Sequence, residues 1–331
     1  MRIAFLDNFL NIRGTSVALF DYAHFNETLL GNSSIIITRP YEINSSDNID
    51  VCQEVHNKFK HRFPVFYYTD NTDIQSIIDN QHVDLLYIIK SGEPWDGLHS
   101  FQNVKTFIHC VFNTTQPHGD YFTCISPWLN MTCHTNVPIL PHMIYLPNVN
   151  DNLRNHFNIP ENAIIFGRHG GYNQFDNQDA RNAVQRLSLA RSDIYFIFMN
   201  TPEFCHSPNN NIIYVDRSSD VIFKTKFINT CDAMIYGRND GETFGLSIGE
   251  FSIRNKPIFA PKHTNGAKMH QMILKDNAYW FENEDDLYQQ MVSFDPNEAK
   301  VKDWNMYKFV SPENVMQIFN NIITSDSNHV V

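Results

Sequence analysis

The stretch whose reading decides the fold runs Cys231-Asp232-Ala233-Met234-Ile235-Tyr236-Gly237-Arg238-Asn239-Asp240-Gly241-Glu242-Thr243-Phe244-Gly245-Leu246-Ser247-Ile248-Gly249-Glu250. Its opening, 232–236, is a short apolar run of the kind that forms a buried strand. A glycine-rich loop follows, and then a segment compatible with a helix that starts near Phe244 or Gly245. In open parallel sheets, ligands bind outside the carboxyl ends of the strands, so this loop is where chemistry is to be sought. The free N–H groups at such a helix start form an anion site suited to a phosphate. Glu242 would sit in front of that phosphate, and Glu250 about 9 Å further along the helix at about 1.5 Å per residue. One carboxylate on each side of a phosphate suits a nucleotide sugar, whose hydroxyl-rich rings flank a diphosphate. The same two residues also read as a helix-capping Glu242 and a solvated Glu250.

Working outward, short β-rich runs alternate with polar, helix-compatible segments along the whole chain, the pattern of parallel sheets with crossover helices. In the second half the strands are expected over 163–167, 194–199, 212–215, 232–236, 257–260 and 279–281. The first half predicts 2–6, 34–38, 65–68, 84–89, 105–112 and 121–126. Pro138, Pro141, Pro147 and Pro160 in Asn-rich surroundings mark a linker near residue 147. Ser311 and Pro312, followed by Val315, Ile318, Phe319 and Ile322, predict a capped terminal helix with one apolar stripe. The reading is an α/β chain of domains 1–146 and 147–305, with a terminal helix in 306–331.

Composition narrows the partners. With 25 Lys+Arg against 36 Asp+Glu, the net charge of −11 argues against nucleic acid or an anionic membrane. At 42% hydrophobic and 13% aromatic, the 331 residues are rich enough for packed cores and unlike disordered chains. No apolar run approaches the roughly 18 residues of a membrane span, and the apolar start is too short for a signal peptide. Cys52, Cys110, Cys124, Cys133, Cys205 and Cys231 contain no Cys-x-x-Cys pair, so they read as reduced thiols of a cytoplasmic protein. No Gly-x-Gly-x-x-Gly follows a strand, which sets aside a dinucleotide-dependent oxidoreductase.

The complete segment resembles the Glu-x7-Glu signature of retaining GT-B glycosyltransferases like those of family 4. Leu146-Pro147-Asn148-Val149-Asn150 is similar to that family's linker motif, and Ile164-Ile165-Phe166-Gly167-Arg168 to its strand ending in Gly-Arg. Cys231-Asp232-Ala233 and Asn255-Lys256-Pro257 also fit. The resemblance covers about 146–290 by motif and the first half by pattern. It implies two Rossmann-like domains with parallel sheets facing a central cleft, the terminal helix crossing back to the N-terminal domain.

For the donor site the resemblance implies Arg168 on the diphosphate and Glu242 on the sugar, stabilising charge in an oxocarbenium-like transition state. Glu250 would hold the ribose, and Thr243, Phe244, Gly245 and Leu246 the helix start. The lysine usually found about five residues after Gly-Arg is replaced by Asn173, which leaves Arg168, Arg238 and the amides of Gly170 and Gly171 to carry the phosphate charge. Gly14 and Thr15 stand where the family has a glycine-rich loop, and equally read as an ordinary strand-to-helix turn. His109 stands where a catalytic histidine touches the donor sugar, or is a buried strand histidine satisfied by backbone. Glu93 and Trp95, in the loop after the 84–89 strand, form a candidate acceptor platform or a Gly-Pro turn.

The implied function is metal-independent transfer of a hexose from a nucleoside diphosphate sugar, with retention, to a soluble glycan, protein or small molecule. The acceptor attacks the face from which the leaving group departs, and a donor phosphate oxygen takes its proton. No Asp-x-Asp triplet is present, no metal site is expected, and no cofactor is needed beyond the donor substrate. The alternative is a catalytically silent nucleotide-sugar-binding protein of the same fold.

Overall fold

The structure, a computed structural model, describes residues 1–41, 53–98 and 100–325, so Cys52 lies outside the described residues. The chain divides into two compact units, one of Met1–Met143 together with the chain from Val310 onward, the other Ile144–Phe309.

The first unit is built on a six-stranded sheet of β1 (Arg2–Leu6), β2 (Ser33–Thr38), β3 (Val65–Tyr67), β4 (Leu85–Lys90), β5 (Lys105–Cys110) and β6 (Tyr121–Cys124). Every pairing is parallel, in the order β3-β2-β1-β4-β5-β6. Its helices are α1 (Gly14–Thr28), α2 (Gln53–Arg62), α3 (Asn71–Gln81) and α4 (Pro127–Cys133). The central strand β1 is buried from Ile3 to Leu6, as expected of a strand covered on both faces. α3 shows how local sequence sets an element. Asp70 accepts from the Thr72 and Asp73 amides at 2.8 and 3.2 Å, Asp73 reaches back to the Asp70 amide, and His82 closes the helix with φ 51°. The run predicted over 105–112 stops at Cys110, because Val111 and Phe112 turn to donate to the carbonyls of Lys90 and Ser91 at 3.0 and 3.1 Å.

The second unit repeats the plan with β7 (Ile164–Arg168), β8 (Ile194–Met199), β9 (Ile212–Val215), β10 (Ala233–Ile235), β12 (Ile258–Pro261) and β14 (Tyr279–Phe281), in the order β14-β12-β10-β7-β8-β9. A separate pair, β11 (Gly241–Glu242) and β13 (Ala267–Lys268), is also parallel. The helices are α5 (Gln178–Ala190), α6 (Val221–Thr230), α7 (Leu246–Ile253), α8 (Met269–Leu274), α9 (Glu284–Val292) and α10 (Pro296–Lys300). Ala180, Ala183, Val184 and Leu187 form the buried stripe of α5 at helical spacing. The core is aromatic: Phe166 packs on Phe196 and Phe259 with ring centroids 5.7 and 5.2 Å apart, and Phe259 stacks on Tyr279 at 4.4 Å.

The last helix, α11 (Pro312–Thr324), returns to the first unit. Ser311 caps it by accepting from the Asn314 amide, and Val315, Met316, Phe319 and Ile323 are buried. Phe319 meets Phe107, Tyr22 and Tyr87 at centroid distances of 5.3, 6.0 and 6.1 Å. Among the described residues no helix is long and apolar enough to cross a membrane.

Candidate functional site

In the second unit the chain lays β7, β8 and β9 to one side and β10, β12 and β14 to the other, so the order reverses between β7 and β10. The crevice outside the carboxyl ends of those two strands is the place such a sheet offers a ligand. Arg168 and His169 stand there at the end of β7, Tyr236, Gly237 and Arg238 just after β10. Gly167 is glycine because a Cβ would lie 2.1 Å from the Cys231 sulfur, which packs beneath it.

Arg168 is only 3% exposed. Its Nη1 donates to the Asn200 carbonyl at 3.2 Å and to Thr201 Oγ1, and its Nη2 to the Gly171 carbonyl at 2.8 Å. Burial lowers its pKa to about 10, with Tyr236 and Glu242 pulling the other way, so it stays charged at neutral pH. The Asn200 amide holds the Gly170 carbonyl at 2.8 Å. Gly170 and Gly171 are thus fixed beside the guanidinium, which is anchored from behind. Asn173 is exposed, and the loop beyond it is pinned to Asn239, whose backbone amide donates to Asp176 Oδ1 at 2.9 Å.

Glu242 is placed by an unusual turn rather than by a cap. Gly241 has φ +67° and a Cβ there would lie 1.9 Å from the Ala267 carbonyl oxygen, so only glycine lets β11 sit against β13. Glu242 Oε2 lies 3.0 Å from Arg238 Nη1, and Tyr236 donates its hydroxyl to Oε1 at 3.2 Å. Burial raises the Glu242 pKa, opposed mainly by Arg238. α7 begins instead at Leu246, behind Gly245 with φ 90° and no side-chain cap on the helix start. This overturns the reading of Glu242 as a helix cap. Thr243 and Leu246 are half-buried, Phe244 is buried, and Tyr307 donates to the Phe244 carbonyl at 2.9 Å.

Glu250 is neither solvated nor open. One oxygen accepts from Lys224 of α6, and the other lies 2.9 Å from His169 Nε2. Burial alone would raise its pKa, but Lys224 and His169 together hold it at about 2. His169 is buried against Phe251, centroids 5.6 Å apart, and burial lowers its pKa despite Glu250. Neither Lys224 nor His169 stands out by local pattern. The available signal was one of the two lysines of α6 and a histidine directly after the Gly-Arg pair. A third residue the sequence did not reveal is His270 of α8, fully buried beside Tyr236 at 5.4 Å, with neither ring nitrogen hydrogen-bonded among the described residues. Burial and Arg238 lower its pKa to about 4, so the ring is neutral.

In the first unit the order reverses between β1 and β4. Gly14 and Thr15 open α1 there, Gly14 exposed and Thr15 half-buried. Asp7, directly after β1, accepts from Ser16 Oγ at 2.7 Å and the Phe9 amide at 3.2 Å, and burial raises its pKa to about 6. After β4, Trp95 is 79% exposed, while Glu93 is engaged by Ser91 and by the Asn113 side chain at 3.0 Å. His109 corrects one expectation. It is wholly buried, its Nδ1 is 2.6 Å from the Tyr87 hydroxyl, its Nε2 2.6 Å from the Leu140 carbonyl, and burial lowers its pKa to about 3. With both nitrogens satisfied inside the core, it is the buried strand histidine and not a sugar-contacting catalyst. Among the described residues no group of three or more His, Cys, Asp or Glu side chains is placed to hold a metal ion.

Compared with protein-family models and with curated proteins, the sequence matches none. Among solved structures it is similar to a glycosyltransferase from Rickettsia africae ESF-5, at 14% identity and a TM-score of 0.68, over 98% of this chain and 99% of that one. It is similar to Anabaena Alr3699/HepE in complex with UDP and glucose, at 12% identity and a TM-score of 0.72, over 98% and 100%. WaaG, a glycosyltransferase involved in lipopolysaccharide biosynthesis, aligns at 10% identity and a TM-score of 0.60, over 98% and 100%. At such identities the likeness is one of fold: this chain has the two-sheet α/β GT-B fold along its length.

Proposed function

We propose that the protein is a glycosyltransferase that moves a hexose from a nucleoside diphosphate sugar, with retention at the anomeric carbon and without a metal ion. The observation that carries this is the coincidence at one switch point of the Arg238–Glu242 pair, the uncapped start of α7 behind Gly245, the buried cation Arg168 and the half-buried Lys224. The likeness of fold to two glycosyltransferases and to Anabaena Alr3699/HepE, solved in complex with UDP and glucose, supports the same reading. The helix start and Arg238 would receive the diphosphate, with Arg168 supplying positive potential from behind the loop of Gly170 and Gly171. Glu242 would face the transferred sugar and stabilise developing positive charge there. A donor phosphate oxygen would take the acceptor's proton, so no protein base is required. Glu93 and the exposed Trp95 would offer a platform to a soluble glycan, protein or small-molecule acceptor in the cytoplasm.

One observation favours a second reading, a silent binder. Arg168 is anchored internally and Asn173 stands in place of a lysine, so the diphosphate meets fewer free cations. Incubation with a panel of labelled sugar nucleotides separates the two. Release of nucleoside diphosphate, by transfer or slow hydrolysis, supports the enzyme, and saturable binding without release supports the binder.

A further inference from the structure

Two loops at the carboxyl end of the first sheet carry aromatic rings into solvent. Trp95 follows β4 and is 79% exposed, and Phe112 follows β5 and is 64% exposed. Both loops are braced. The Phe112 and Asn113 amides donate to the Ser91 carbonyl at 3.1 and 2.8 Å, which ties one loop to the other. Gly92, with φ +130°, permits that tie, since a Cβ there would lie 1.8 Å from the Asn113 carbonyl oxygen. Beyond Trp95 the Gly97 amide closes the turn on the Pro94 carbonyl at 3.1 Å. Asp96 accepts from the Leu98 amide at 3.1 Å and pairs with Lys90 at 2.6 Å, and Leu98 itself is buried. An indole held in solvent on such a turn adds no burial to the core, and its apolar face meets a ligand without first having to be ordered.

Glu93 supplies a polar edge beside it. Asn113 Nδ2 donates to Oε1 at 3.0 Å and Ser91 to Oε2, while the Thr115 amide fixes Asn113 at 2.9 Å. These donors hold the Glu93 carboxyl below its ordinary range, so it is ionised at neutral pH. Each oxygen keeps a lone pair for a further donor. A carboxylate next to exposed rings matches the two surfaces of a pyranose, which carries hydroxyls at its rim and C–H groups on its face. The face of an aromatic ring is its negative side, toward which polarised C–H groups turn. Charge narrows the class further. Across residues 90–98 and 111–116 the sole Lys or Arg is Lys90, and Asp96 already holds it. A phosphate or carboxylate on the ligand would face Glu93 with no cation to offset the repulsion.

We propose that Trp95, Phe112 and Glu93 form a saccharide platform selective for an uncharged acceptor glycan, which lays C–H faces on the rings and gives hydroxyl hydrogens to the carboxylate. Among glycan, protein and small molecule the acceptor is then a neutral glycan, an assignment that rests on the transferase reading given above.

The test is a glycan array of neutral, phosphorylated and sialylated saccharides, probed with wild type, Trp95→Phe, Trp95→Ala and Glu93→Gln. Calorimetry with the free oligosaccharides that bind gives affinities, and thermal midpoints check that each variant keeps its fold. Phosphatidylglycerol vesicles and the nucleotides UDP, GDP and ADP are run beside them. Wild type retains neutral saccharides and rejects their phosphorylated counterparts. Trp95→Ala lowers affinity about tenfold or more, Trp95→Phe stays within about threefold of wild type, and Glu93→Gln loses about tenfold, the size of one charge-assisted hydrogen bond. Glu93→Gln also narrows the gap between neutral and phosphorylated forms. Preference for anionic saccharides, binding to vesicles in their place, an empty array, or a Trp95→Ala variant equal to wild type overturns the platform. Nucleotide binding by wild type keeps the transferase reading standing in each of those cases. If no nucleotide binds, that reading falls whatever the array shows.

Discussion

Asp7 and His169 hold the same position in two sheets of the same strand order, each the first residue after the strand on which its sheet was begun. Around Asp7 stand neutral donors, the Ser16 hydroxyl and the Phe9 amide, and burial carries its pKa up to about 6. His169 instead meets a second carboxylate, Glu250, which Lys224 and His169 draw down to about 2 against the pull of burial. Strand order assigns the place, but the charge of the partner decides whether the carboxylate at or beside it is raised or held ionised. The first unit holds there a carboxylate raised by burial, the second a histidine facing a carboxylate that Lys224 keeps ionised.

The largest effect is expected from Glu250→Gln, which leaves the half-buried Lys224 without its counter-ion. Unfolding in urea at pH 7 should show a loss of about 3 kcal/mol. Because the folded pKa is about 2 against an ordinary 4.5, this stabilisation is complete above pH 4.5 and disappears as pH falls through 2. Wild type and variant should therefore converge in acid, and equal stabilities at pH 7 would break the comparison. Asp7→Asn should act in the opposite sense. A folded pKa of about 6 against 3.8 means that stability falls as pH rises from 3.8 to 6, and the cost persists above. Removing the charge should stabilise by about 1–2 kcal/mol at pH 8 and by nothing at pH 3. Destabilisation at pH 8 would show that the Ser16 and Phe9 donors more than offset burial.

Glu242 stands between these extremes, raised by burial and opposed by Arg238. Glu242→Gln should lower turnover about tenfold or more, about 1.4 kcal/mol at the transition state, with affinity for free nucleoside diphosphate nearly intact. Equal losses of both, from initial rates beside calorimetry, would make the Arg238–Glu242 pair a structural tie like that of Glu250. The smallest effect is expected from EDTA, which should leave turnover unchanged. A strict requirement for magnesium or manganese would mean that Arg168, Arg238 and the start of α7 do not suffice for the diphosphate.

Much of this was legible in the sequence wherever one element carries its own signal. The runs that became β8 and β9 were readable to the residue, and Ser311 caps the helix it was expected to cap. What escaped is what depends on partners distant along the chain. The two-residue pairing of Gly241–Glu242 with Ala267–Lys268 is too short to leave a periodic trace. The Lys224–Glu250 contact joins helices 26 residues apart, so no i, i+4 spacing announces it. His109 was ambiguous because a histidine inside an apolar strand looks the same whether its nitrogens meet a ligand or, as here, Tyr87 and Leu140.

The position of α11 bears on the order in which this protein can be made. Phe319 completes the cluster of Tyr22, Tyr87 and Phe107, yet it is translated after the whole of the second unit. A ribosome that has released the first sheet must therefore carry it with that aromatic face uncovered until the final stretch emerges, while the intervening unit can already have closed on its own contiguous residues. For this chain the usual vectorial sequence is inverted, the part begun first being the part finished last. Early termination before Pro312 would leave a sheet able to pair its strands but bare of its last layer, a natural target for chaperones.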